Sequence, residues 1–177
     1  KQAFVERDFF RAWTSGMIRK KIAQRDQMII DSPQEALERL LLLGYTDIAI
    51  QSLHVINGDE FEKIVMVVSQ YQDKFEKIVI GKPLLSSFED YQSVIEALEL
   101  QVPALQKNEC VLFMGHGATH HAFAAYACLD HMFMDKNLPF MLGAVESYPE
   151  LDSILIRLQA EKIQKVHLIP FMVVAGD

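Results

Sequence analysis

Short apolar runs alternate with amphipathic stretches along almost the whole chain, and the periodicity switches between that of strands and that of helices. Asp8-Phe9-Phe10-Arg11-Ala12-Trp13 is predicted as a short strand, with Thr14 or Ser15 capping a helix from about Gly16 to Arg25. Ser32-Pro33-Gln34-Glu35 has the capping-box spacing with Pro at the first helical position. Gly44 stops the run Leu40–Leu43, so a helix is predicted over 33–43. A buried strand follows at Asp47–Leu53, then a helix over 60–73 after the Asn57-Gly58-Asp59-Glu60 break. Lys77–Gly81 is predicted as a strand and Ser87–Glu99 as a helix.

The polar stretch Pro103–Glu109 interrupts the pattern, which restarts with Cys110-Val111-Leu112-Phe113-Met114. The expected halves are therefore 1–102 and 103–177. The second continues with helix 119–134, strand 139–145, helix 149–160 and strand 165–174. Strands alternating with helices imply an α/β fold, with parallel sheets wrapped by helices. Tyr45–Asp59 also aligns without gaps to Ile163–Asp177, each preceded by a helix beginning near a proline, Pro33 or Pro149. At low identity this leaves duplication of the two halves open.

Composition narrows the function. Half of the 177 residues are apolar, enough for a real core, and the net charge is −7. A pI near 5.3 argues against nucleic acid or an anionic membrane as partner, because both call for a basic footprint. Two cysteines, Cys110 and Cys128, in apolar surroundings imply no disulfide framework and fit a reducing cytoplasm. No apolar run approaches the roughly 18 to 20 residues of a membrane span. The chain opens on Lys1 without an initiator Met, which leaves a lost leader open.

In an open parallel sheet, ligands bind beyond the carboxyl ends of the strands. Three predicted strand ends of the second half carry Gly115-His116-Gly117, Val145-Glu146-Ser147 and Ala175-Gly176-Asp177. Imidazole and carboxylate suit borderline divalent ions such as Co²⁺, Ni²⁺, Zn²⁺ or Fe²⁺. Flanking glycines leave His116 open to a large planar ligand or a metal. The alternative is that His116 packs in a loop and Glu146 caps the next helix. Gly115-x-Gly117 makes no dinucleotide fingerprint, because its third glycine would fall at His120.

His120 and His121 open the next helix at the same edge, as ligand contacts or as helix-terminal residues. His131 and His167 are expected to be structural. His54 ends a strand of the first half at the equivalent edge, where it could face a cleft. Arg11, Arg19, Lys20, Lys21 and Arg25 form the concentrated basic region, a solvated helix face or a holder of carboxylates.

Met114-Gly115-His116-Gly117, Thr119-His120-His121-Ala122, Ala124-Ala125-Tyr126, Val145-Glu146-Ser147-Tyr148-Pro149 and Val173-Val174-Ala175-Gly176-Asp177 resemble the anaerobic sirohydrochlorin cobalt chelatases of CbiK type, within the class II chelatases. Phe10–Ser15, Ile18–Lys21 and Gln51–Glu60 agree as well. The resemblance implies two flavodoxin-like or Rossmann-like halves, each a parallel sheet flanked by helices, with a tetrapyrrole cleft between them.

It also implies ATP-independent insertion of Co²⁺ into sirohydrochlorin on the anaerobic cobalamin route, with no organic cofactor. The metal would sit on His116, Glu146 and a His directly after Asp177, which this chain does not have. Arg11, Arg19, Lys20, His54 and His120 are candidates for holding the macrocycle. A first strand and helix expected by resemblance are absent before Lys1, so the chain reads as a fragment lacking both termini. A non-catalytic tetrapyrrole or metal carrier, the same chemistry with Fe²⁺ or Ni²⁺, and a homo-oligomer stay open.

Overall fold

The structure, a computed structural model, describes residues 7–172. Helices α1 (Gly16–Asp26), α2 (Pro33–Leu42), α3 (Asp59–Ser69) and α4 (Phe88–Glu99) accompany strands β1 (Asp47–Gln51) and β2 (Lys77–Gly81). Strands β3 (Glu109–Gly117), β4 (Phe140–Glu146) and β5 (Lys165–Phe171) then enclose helices α5 (Ala124–Asp135) and α6 (Leu151–Ala160). All strand pairs are parallel, in one sheet of order β1-β2 and another of order β4-β3-β5. The α/β architecture with two helix-flanked parallel sheets is as expected. Among the described residues, no helix is long and apolar enough to cross a membrane.

Local chemistry sets most boundaries. Ser32 accepts from the Glu35 amide while the Glu35 carboxylate takes the Ser32 amide, a closed capping box. Ser87 and Asp90 repeat it at α4. Ser15, one of the two residues expected to cap α1, does so. The strand expected over Asp8–Trp13 does not form. Only Ala12 bridges to Asp31, and Phe9 stays 63% exposed, because no described strand offers this segment a continuous ladder.

The chain forms two compact units, one of residues up to Ser52 with Asp59–Gly81, the other of Leu53–Gly58 with residues from Lys82 on. That division differs from the expected boundary at 102/103. Val94 and Ile95 of α4 pack with Val111, Phe113, Leu129 and Phe133 in the second unit's core, so packing outweighs the polar turn after the helix.

In the first unit, Leu37, Leu40, Ile64 and Val68 cover one face of β1-β2. In the second, α4 and α5 cover one face of the sheet, and Ile154 and Leu158 of α6 cover the other against Cys110, Leu112 and Met141. Phe113 meets Phe133, Phe140 and Phe171 at centroid distances of 5.8, 5.5 and 6.3 Å. Truncating such a buried ring costs about 3–5 kcal/mol.

The aligned segments of the two halves share a layout. Helices α2 and α6 are each ten residues long, and β1 and β5 begin at Asp47 and Lys165, five positions past Leu42 and Ala160. The end of the alignment, through Asp177, lies outside the described residues.

Candidate functional site

Strand β3 does not stop at Met114, where the apolar run ends. Gly115 pairs with Ala144 on β4 and Phe171 on β5, and Gly117 pairs with Glu146, so the ladder carries the strand through the glycines. His116 is therefore the second-last residue of β3, not part of a loop beyond it. It stands one register position from Glu146, the last residue of β4, and both are exposed.

The glycines around His116 have specific neighbours. A Cβ on Gly115 would lie 2.5 Å from Cε1 of Tyr126, a ring only 2% exposed. Gly117 has φ +82, and a Cβ there would lie 1.7 Å from the Glu146 carbonyl oxygen. The space beside both glycines is thus occupied by the protein itself, whereas His116 between them reaches solvent.

Its Nδ1 lies 3.2 Å from the Gly117 carbonyl oxygen. A carbonyl only accepts, so as a hydrogen bond this contact puts the proton on Nδ1 and leaves the Nε2 lone pair outward. That is the usual arrangement of a metal-binding imidazole. Among the described residues, neither His116 nor Glu146 belongs to a group of three His, Cys, Asp or Glu whose ligand atoms all lie within 4.8 Å of one another. Asp177 and the position after it lie outside the described residues.

Other candidates fall elsewhere. His120 is a terminal cap, its Nδ1 accepting from the Ala122 amide at 3.2 Å with its ring 4.0 Å from that of His121. His54 is three residues past the end of β1, and its carbonyl accepts from Leu84 at 2.9 Å. His131 is exposed beside Asp135 at 3.6 Å. His167, within β5, meets Glu109 at 3.0 Å.

In the first unit, Arg19 pairs with Glu35 at 2.9 Å, and Lys20 is exposed. The Arg11 guanidinium lies 5.7 Å from the Trp13 ring centroid and 3.4 Å from the Met28 sulfur. Pairing between Arg19 and Glu35 ties α1 to α2, a structural role for part of the basic region. Cys110 is buried and Cys128 exposed, both free.

A family model described as Cobalt chelatase (CbiK) matches residues 1–177. The chain belongs to this family. It is 55% identical over 172 residues to the sirohydrochlorin cobaltochelatase of Salmonella typhimurium, covering 97% of this chain and 65% of that protein. It is 33% identical over 168 residues to the sirohydrochlorin cobaltochelatase CbiKC of Nitratidesulfovibrio vulgaris, covering 93% of this chain and 59% of that one. The chain thus spans less than two thirds of the length of either relative. A solved structure of SirB from Bacillus subtilis with Fe³⁺ shares the fold, with a TM-score of 0.54 at 16% identity over 93% of this chain and 74% of that one.

In this CbiK-family chain, two side chains that support the strand ends went unassigned in the sequence. Burial pushes the Tyr126 phenol above its usual range, and the Gly117 amide draws it only partly back, so it stays protonated at neutral pH. Asp130 is 8% exposed. Its Oδ1 accepts from the Leu142 amide of β4 at 2.8 Å, and its Oδ2 takes Arg157 Nη1 of α6 at 2.5 Å. Since β4 is an outer strand among the described residues and α5 and α6 cover opposite faces, the pair clasps that edge of the sheet. The signal was present: Tyr126, Leu129, Asp130 and Phe133 fall at i, i+3, i+4 and i+7, so an acid occupies the core stripe.

Proposed function

We propose that this CbiK-family protein inserts Co²⁺ into sirohydrochlorin without ATP, on the anaerobic route to cobalamin. The observation that carries the reading is the His116 and Glu146 pair at adjacent strand ends, one register step apart and open to solvent. Its support comes from the family and from two relatives named sirohydrochlorin cobaltochelatase. Insertion replaces water on the ion with four pyrrole nitrogens and releases two pyrrole N–H protons. The outward Nε2 of His116 holds the incoming ion and accepts a proton as it leaves, while the Glu146 carboxylate orients the ion or takes the second proton. Arg11, Arg19, Lys20, His54 and His120 are the proposed contacts to the macrocycle. Two free cysteines fit a reducing cytoplasm.

The test is optical. Product of the complete reading frame is mixed with sirohydrochlorin and Co²⁺ without nucleotide, and the metallated chromophore is followed over time. Wild-type protein should accelerate insertion, and His116→Ala and Glu146→Ala should each lower kcat strongly. Equal turnover in wild type and both variants sinks the site assignment. Tight stoichiometric binding with no acceleration replaces the enzyme with a carrier, and Fe²⁺ or Ni²⁺ run alongside decides the metal.

A further inference from the structure

The strand end that presents His116 is crowded on two sides by other parts of the protein. On the β3 face covered by α5, the Tyr126 ring occupies the place a Gly115 side chain would take, with Cε1, Cδ1 and Cζ at 2.5, 2.9 and 3.2 Å from that position. At Gly117 the Glu146 carbonyl occupies it at 1.7 Å. His116 is thus held at both neighbours, by an aromatic ring on one and by the backbone of the other proposed site residue on the other. Tyr126 is 2% exposed and packs within the core cluster that contains Val111, Phe113 and Leu129, so its ring has little freedom to move away.

We propose that Tyr126 is a positioning residue for His116: its ring, seated on Gly115, sets the strand from which the imidazole projects and so keeps Nε2 aimed outward. This rests on the metal-insertion reading above. The Tyr126 side chain does not touch the metal or the macrocycle and acts through the Gly115-His116-Gly117 backbone. The ring lies against Gly115 and the phenol oxygen takes the Gly117 amide, so the side chain holds the backbone on both sides of His116, and the ring is the part that sits on the strand. Tyr126→Phe keeps the ring on Gly115, gives up only the bond from the Gly117 amide, and should lose clearly less than Tyr126→Leu. Tyr126→Leu should lower Co²⁺ affinity or kcat by roughly 10-fold to 100-fold, the usual effect of removing a group that orients a metal-binding histidine.

Two readouts decide it on the product of the complete reading frame, with folding verified by circular dichroism. The first is the imidazole ¹⁵N resonances of His116, assigned by their loss in His116→Ala. They should show the pattern of protonated Nδ1 in wild type, and change more in Tyr126→Leu than in Tyr126→Phe. The second is Co²⁺ affinity without tetrapyrrole, in a cycle of Tyr126→Leu with His116→Ala, where the Tyr126 loss should vanish once the imidazole is gone. Should Tyr126→Leu fail to fold, Gly115→Ala pushes the same ring from the strand side and should produce the same change in the resonances.

Unchanged His116 resonances in a folded Tyr126→Leu or Gly115→Ala, an additive cycle, or an equal loss in Tyr126→Phe and Tyr126→Leu overturns the proposal while leaving the chelatase reading intact. Resonances that respond as described in a protein that inserts no metal sink the chelatase reading and leave the seat standing.

Discussion

Two parallel strand pairs in this chain end alike and yield differently. In β1-β2 the last register pair is Gln51 with Gly81, and in β3-β4 it is Glu146 with Gly117, a glycine facing a polar residue each time. At Gly81 the group in the way of a Cβ is the end of the Gln51 side chain, Oε1 at 2.3 Å. At Gly117 it is the Glu146 carbonyl at 1.7 Å, and φ is +82. A side chain can rotate, but a strand-end carbonyl cannot move without moving its strand. The same sequence pattern therefore marks a tolerant end in the first unit and an interlocked one in the second, which is where His116 and Glu146 stand.

The largest expected effect comes from Gly117→Ala. The positive φ alone costs about 1–3 kcal/mol for a residue with a Cβ, and the Glu146 backbone has to shift to admit it. Metal insertion should fall by two orders of magnitude or roughly as far as in Glu146→Ala, since displacement of even about 1 Å costs about 100-fold. Retention of wild-type turnover would break the comparison at once.

Asp130→Ala comes next and tests what holds β4 in place against β3. Removing the carboxylate leaves the Leu142 amide without this acceptor and Arg157 without its partner, for a loss of about 1–3 kcal/mol read by denaturant midpoint. If Asp130→Ala matches wild type in stability, the edge clasp is not what fixes the strand.

How far the site was legible follows from the kind of signal each residue gives. His116 and Glu146 could be picked out as candidates because ligand-type residues at strand ends stand out against apolar runs. That the ladder itself runs through Gly115 and Gly117 could not be read from the residues, because only the partner strands show it. The Asp8–Trp13 strand failed for the converse reason: a short segment rich in aromatics specifies a strand only where another strand offers it a ladder. Tyr126 drew no role of its own, because its place against Gly115, eleven residues away, is set by the packing of α5 on β3. Helices α2 and α4 were accurate to a residue or so because capping boxes are local chemistry.

The amino ends of the strands extend the comparison to pH. Each sheet begins with an acid opposite a lysine, Asp47 with Lys77 and Glu109 with Lys165. Glu109 lies 3.3 Å from Lys165 and 3.0 Å from His167, whereas Asp47 accepts from Thr46 at 2.9 Å. The His167 hydrogen bond, more than Lys165, holds the Glu109 carboxyl below its ordinary value of 4.5. A lowered folded-state value means that the stabilisation is fully present above 4.5 and is lost as pH falls below it. Glu109→Gln should therefore lower the melting temperature at pH 7 and flatten its decline below pH 4.5. Asp47→Asn should leave both features in place, and a matching change in Asp47→Asn would erase the contrast between the sheets.

The smallest effect is expected at Gly81, and it is the most exact test of the opening contrast. Gly81→Ala requires Gln51 to swing away, losing the bond from its Nε2 to the Ser52 carbonyl at 2.7 Å, a net cost of about 0.5–1.5 kcal/mol. Against that, replacing glycine within a strand stabilises by about 0.5–1 kcal/mol, so the change should lie within about 1 kcal/mol of zero. Deleting the obstacle should then reverse the sign: in a Gln51→Ala background, Gly81→Ala should stabilise by about 0.5–1 kcal/mol. No such relief is available at Gly117, because Glu146→Ala removes the carboxylate and leaves the carbonyl where it was. Gly117→Ala should cost as much stability with Glu146→Ala as without it. If deleting the Glu146 side chain rescues Gly117→Ala, the obstacle is not the backbone, and the two strand ends are alike after all.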